Sequence, residues 1–222
     1  MPRQRCRVWI YTKTTRPPEQ ADFLHRKEQT MEAIKLETPY VFEDKEYTEI
    51  DLTDLEKLKV KDAIAAQMKV MQNPSAVYML EYSSVYAMQL AAMATGKPLE
   101  FYQLMPVGLA KKVRGAVANM VVLTNQSEGG KLKLDAPCTY KGKTYSEVDL
   151  SGAAQLNTMD VINAENRLAA ENHVAPEPGL DYLYCVIMAA RASGMDEEFF
   201  AELPIKEAAK IKAAVNGSGF FG

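Results

Sequence analysis

One stretch of this chain occurs twice, and that repetition constrains the fold more than any other property of the sequence. Residues Lys35–Thr53 read KLETPYVFEDKEYTEIDLT, and Lys133–Ser151, 98 positions later, read KLDAPCTYKGKTYSEVDLS. Eight of the 19 positions are identical, among them Pro39/Pro137, Tyr47/Tyr145, Glu49/Glu147, Asp51/Asp149 and Leu52/Leu150. The offset continues without a gap through Asp62/Asp160, Ile64/Ile162, Tyr86/Tyr184, Gly96/Gly194, Phe101/Phe199 and Pro106/Pro204. A fixed internal period marks a duplicated structural unit. The chain reads as two tandem copies of one small domain, residues 31–124 and 131–222, joined by an Asn-, Ser- and Gly-containing linker at 125–130. About 90 residues suffice for a modest core in each.

Within each copy two β-rich runs flank a polar break, Glu43-Asp44-Lys45 or Lys141-Gly142-Lys143, which predicts a hairpin. A two-residue turn would put Leu134 and Cys138 on the face opposite Val148 and Leu150. A three-residue loop pairs Tyr140 with Thr144 and gathers Leu134, Ala136, Cys138, Val148 and Leu150 on one face. Because a slip of one residue inverts every side chain, burial favours the longer loop. The pattern then turns helical. Val60, Ile64, Met68 and Met71 fall on one helix face, and Thr158/Asp160 open the matching helix in the second copy. A second, apolar helix runs from Asn73-Pro74 to Gly96, and from about Leu180 to Gly194. A short helix follows, Pro98–Leu104 or Asp196–Glu202 with Asp196 as cap. A last helix opens at Pro106 or Pro204, with Ala110, Val113, Ala116, Val117, Met120 and Val121 as its stripe. The expectation is a predominantly helical α+β fold, ββαααα twice.

Charge divides the chain differently. Residues 1–30 carry seven Arg/Lys against three Asp/Glu, whereas the copies are neutral to acidic. Neither copy is basic enough to bind nucleic acid by neutralising phosphates. The basic head lies outside the repeat, and Lys27-Glu28 is encoded by codons compatible with a ribosome-binding sequence just before Met31. Residues 1–30 are therefore read as an over-called start, with translation expected from Met31. No run reaches the length of a membrane span, so no membrane is expected. The cysteines, Cys6, Cys138 and Cys185, are odd in number and scattered; Cys138 and Cys185, which align with Tyr40 and Ala87, suit core filling in a reducing compartment.

The sequence carries no metal-ligand spacing, phosphate loop, dinucleotide fingerprint or nucleophile elbow. Asp62 and Asp160 recur, but an acid in a first helical turn is explained by the helix dipole. His173 is read as a solvated loop residue. No catalytic, cofactor-binding or metal residue is assigned, and the chain is expected not to be an enzyme. Two features could hold a partner. On the longer-loop register Tyr47, Glu49 and Asp51, with Tyr145, Glu147 and Asp149, line the hairpin face away from the aliphatic one as an acidic-aromatic surface. The first copy is also rich in methionine, with Met68 and Met71 on its first helix, and Met makes adaptable apolar contacts.

These residues resemble a family. The hairpin pattern L-x-x-P-x-x-Y/F-x-G/D-K-x-Y-x-E-hydrophobic-D-L is followed by a T-x-D helix start, A-x-S/T-G, F-F/Y, L/M-P and an amphipathic helix. That order is similar to the small tail assembly chaperones of Mu-like and P2-like contractile-tailed phages, with Lys131–Phe221 the closer copy and Ala33–Val122 fitting the hairpin best. The usual member is a single copy. The resemblance implies a non-enzymatic protein of the bacterial host cytoplasm, absent from the mature particle. It implies binding to the tape-measure protein, which it keeps soluble, and recruitment of the tail-tube protein. The alternative is a structural subunit retained in a phage tail or baseplate.

Overall fold

In the computed structural model, which describes residues 33–72, 80–122, 130–173, 175 and 177–217, each copy opens on an antiparallel hairpin. The strands are β1 (Ile34–Phe42) with β2 (Lys45–Ile50), and β3 (Lys131–Tyr140) with β4 (Lys143–Asp149). Phe42 pairs with Lys45 and Tyr140 with Lys143, so each turn has two residues. Both turn residues are at positive φ, 48° and 59° at Glu43 and Asp44, 48° and 77° at Lys141 and Gly142. That is the primed turn whose twist suits a hairpin.

The expected three-residue loop is therefore corrected. Between Lys35 and Tyr40 the first strand carries four residues against the single Thr48 opposite, and Lys133–Cys138 repeats this against Ser146. This bulge contains Pro39 or Pro137, a residue that cannot donate to a ladder and belongs at such an irregularity. Its surplus of three, an odd number, exchanges the faces of the second strand along its length. Tyr47 and Ile50 can therefore both turn inward, as can Tyr145 and Val148, because the short turn and the apolar face are reconciled by the bulge. Ala136, expected on the inner face, sits in the bulge and is exposed.

Eight helices follow among the described residues: α1 (Val60–Met71), α2 (Ser84–Thr95), α3 (Leu99–Gln103), α4 (Val107–Val122), α5 (Thr158–Ala170), α6 (Tyr182–Ser193), α7 (Glu197–Ala201) and α8 (Ala208–Asn216). The protein is α+β and mainly helical. Helices α2 and α6 are apolar around most of their circumference, so each must be enclosed. In the first copy α1, α3, α4 and the 3-10 turn Thr53–Lys57 pack on α2; in the second, α5, α7, α8 and the turn Ser151–Gln155 pack on α6. Gly96 and Gly194 end these helices at φ 66° and 67°, where a left-handed residue stops the helix. The expected start of α2 at Asn73-Pro74 lies outside the described residues; Ser83 caps the described helix by accepting from the Tyr86 amide.

Two helix details differ from expectation. The buried face of α1 is Val60, Ala63, Ala66, Gln67 and Val70, while Ile64, Met68 and Met71 are only half-buried beside it. Small residues fill the inner face because α1 is pressed between α2 and the second copy. Asp196 stands at the N-cap of α7 but makes no capping bond. Its carboxylate instead takes Lys141 Nζ at 2.6 Å and the Tyr140 hydroxyl at 3.2 Å, fastening the hairpin turn to α7. Asp62 and Asp160 do serve their helix starts, accepting from the backbone amides of Lys59 and Asn157.

Residues 31–222 form one compact unit, and the two copies share its hydrophobic core. Helix α1 packs on α6, α7 and the 3-10 turn Ile205–Glu207, which also meets α4. A short backbone pairing closes the junction: the Val60 amide donates to Leu203 O at 2.9 Å and the Ile205 amide to Leu58 O at 2.8 Å. No helix of the described residues is long and apolar enough to cross a membrane.

Candidate partner-binding surface

The hairpin row splits into an inner and an outer part. Tyr47 is half-buried and meets the Phe101 ring edge-on at 4.9 Å, with Lys97 Nζ over both rings, 4.4 Å from the Tyr47 centre and 4.8 Å from that of Phe101. Tyr145 stands against Phe199 in the same way at 5.3 Å. The expected open tyrosine face is thus covered near the turn by α3 and α7, and the equivalent rings Phe42 and Tyr140 share those phenylalanines. The tyrosines belong chiefly to the core, because the bulge turns them inward.

The acids stay outside. Glu49, Asp51, Glu147 and Asp149 are all exposed. Asp51 accepts from the Thr53 amide at 2.9 Å and its hydroxyl at 2.7 Å, and Asp149 accepts from the Ser151 amide at 2.8 Å. These backbone donors hold both carboxyls below their ordinary range. Both acids therefore shape the exit from the hairpin as well as its surface. Glu147 pairs with Lys131 at 2.8 Å, whereas the first copy has Ala33 at the lysine's position. Glu49 and Glu147 are thus equivalent in place and different in electrostatic setting. Met68 and Met71 lie half-buried on α1, about one and two helical turns beyond Ile64. Met88, Met105 and Met188 are core fillers, while Met159 is exposed.

A buried polar network, missed in the sequence, locks the copies together. Asp181 is fully buried, and its carboxylate takes four donors. Oδ1 accepts from the Leu183 amide at 2.7 Å and the Tyr184 amide at 3.3 Å, which caps α6. Oδ2 accepts from His173 Nδ1 at 2.9 Å and from Gln67 Nε2 at 3.3 Å. Gln67 Oε1 in turn accepts from the Tyr182 amide at 2.9 Å. A carboxylate buried this deeply is tolerable because every face is hydrogen-bonded. The solvated reading of His173 is overturned: its side chain is buried, and the hydrogen bond to Asp181 raises its pKa above the ordinary histidine value. The only sequence hint was a polar trio, Gln67, His173 and Asp181, flanking apolar helix faces.

Beside it, Glu81 of the first copy accepts from the Tyr182 hydroxyl at 2.7 Å and pairs with Lys212. Burial alone would raise the Glu81 carboxyl, but Lys212 and that hydroxyl hold it below its ordinary value. Tyr182 also stacks on Tyr86 at 6.4 Å, and burial raises both phenols. Cys185, buried on α6, has its thiol pushed up by the same desolvation; Cys138 is half-buried on β3. Among the described residues no group of three or more His, Cys, Asp and Glu side chains could hold a metal ion. No family model, curated protein or solved structure matches the chain.

Proposed function

We propose that this chain is a non-enzymatic phage tail assembly chaperone, which binds the tape-measure protein, keeps it soluble and helps recruit tail-tube subunits in the host cytoplasm. Support comes first from what the shared motif residues do. Pro39/Pro137 stand in the bulges, Tyr47/Tyr145 seat on Phe101/Phe199, and Gly96/Gly194 end the central helices. A motif spent on building a scaffold suits a binding protein whose specificity lies in its surfaces.

The observation that carries the reading is the exposed acidic row at Glu49/Asp51 and Glu147/Asp149, offered twice by one compact unit. Two linked contact sites raise the effective concentration of the second contact, which suits a long partner with repeated segments. Exposed apolar stripes on a long helical chain also need a temporary cover before assembly.

The test is co-expression of the full chain with the tape-measure protein proposed as its partner. The tape-measure protein should move from the pellet to the soluble fraction and co-purify, and E49K/E147K should reduce its recovery. A tape-measure protein that stays insoluble refutes the proposal. Recovery of this chain in stoichiometric amounts from purified tails would favour the retained structural subunit.

A further inference from the structure

The junction between the copies is built from two unlike surfaces. The first copy contributes the start of α1, from Leu58 through Gln67, with Glu81, Tyr86 and α4 beside it; the second contributes the corner Glu202–Ile205, the start of α6 and Lys212. A contact between unlike patches of two repeated units leaves one patch of each kind unused at the ends, and further units can add there. A step of 98 positions locates them. The second copy's unused patch is the start of α5, Leu156–Ile162. The first copy's is the corner Leu104–Val107 with Tyr82–Val85 at the start of α2.

These unused counterparts are apolar. Ile205 is 1% exposed in the junction, while its counterpart Val107 is 71% exposed; Leu183 is 6% exposed and its counterpart Val85 49%. The charges change in concert. Inside the chain Lys59 and Lys61 both pair with Glu202. At the unused patches Lys61 is replaced by Met159, 58% exposed, and Glu202 by Leu104, 69% exposed. An ion pair has become an apolar pair at two positions that can meet only when one chain docks on another. Tyr82, Val85, Leu104, Val107, Met159 and Ile162 make up six of the eight large hydrophobic residues exposed among the described residues. Single exposed apolar residues are ordinary, whereas clusters on two matching patches mark an interaction site.

The backbone can repeat as well. Pro204 has Pro106 as counterpart, and the amide of Thr158, first in α5, lacks a partner within its own helix as Val60 does in α1. The polar lock does not repeat, since Gln67 becomes Glu165 and Asp181 becomes Ser83. The contact between chains is accordingly weaker than the one within.

We infer that this protein self-associates head to tail. The start of α5 of one chain seats on the Leu104–Val107 corner of the next, repeating the contact that joins the two copies, and the series grows as an open array or closes as a ring. The inference is independent of the function proposed above.

Sedimentation velocity of the full chain over a rising concentration series tests it, with L104E and M159K as probes. Both positions are exposed, so both variants should keep the far-ultraviolet circular dichroism of the parent. The parent should form reversible species larger than a monomer, and each variant alone should weaken association at least about tenfold. An equimolar mixture of the two variants should recover it, because the pair then re-creates between chains the charge match of Lys61 with Glu202. A parent that stays monomeric throughout overturns the inference. So does association that neither variant weakens, or a loss that mixing fails to recover.

Discussion

Gln67→Ala separates a junction that holds the fold together from two units that merely touch. Gln67 is fully buried, and its loss leaves the Tyr182 amide without the acceptor it has at 2.9 Å. An unpaired buried donor costs about 1–3 kcal/mol. The bond from Nε2 to Asp181 is charge-assisted but long, at 3.3 Å, and Asp181 keeps three other donors. Its loss adds about 0.5–1 kcal/mol, and the void left by the side-chain stem adds about 1 kcal/mol. The expected total is about 2.5–5 kcal/mol. Glu165, 98 positions on, is exposed, so Glu165→Ala should stay within about 0.5 kcal/mol. Urea denaturation at pH 7 gives both values from midpoint and slope. Hydrogen exchange gives the location: the Val60 and Ile205 amides, bonded across the junction, should lose protection ahead of α2 and α6. Equal effects of the two substitutions, or unchanged exchange at those amides, would refute the reasoning.

Leu52→Ala and Leu150→Ala should each cost about 2–4 kcal/mol in the same assay, since both side chains are buried beneath their hairpins. Tyr145→Ala should cost more than about 1 kcal/mol because the ring stands edge-on to Phe199; a cost below that would show the tyrosine face to be open. Gly152→Ala should be destabilising by about 2 kcal/mol or more, because an added Cβ would lie 2.1 Å from Ala192 O, a backbone atom of α6. His173 has a raised pKa in the folded state, so its stabilising contribution is complete below the unfolded value near 6.5 and fades as pH rises through the folded value. The parent should therefore gain stability relative to His173→Asn as pH is lowered from about 8 to about 6; a flat difference across that range would contradict the buried pair with Asp181.

The sequence by itself determined the α+β class, the hairpin-then-helices order and the ends of most helices. These follow from local terms: apolar periodicity, proline at helix starts, and glycine where Gly96 and Gly194 take up positive φ. The acidic row was legible too, because exposure of Glu49, Asp51, Glu147 and Asp149 needs no particular neighbour. The strand register was not. A turn and a hydrophobic face that disagree look like a choice between loop lengths, and only the ladder revealed a bulge at Pro39 and Pro137 that accommodates both. Tertiary structure alone decided that Tyr47 and Tyr145 belong against Phe101 and Phe199, and that α1 turns small residues inward. It also decided that His173 is buried. Asp181, His173 and Gln67 are polar and distant in sequence, so each alone reads as solvated. Burial of a charge is favourable only once all its hydrogen-bond partners arrive together, and that condition belongs to the assembled junction and to no segment of the chain.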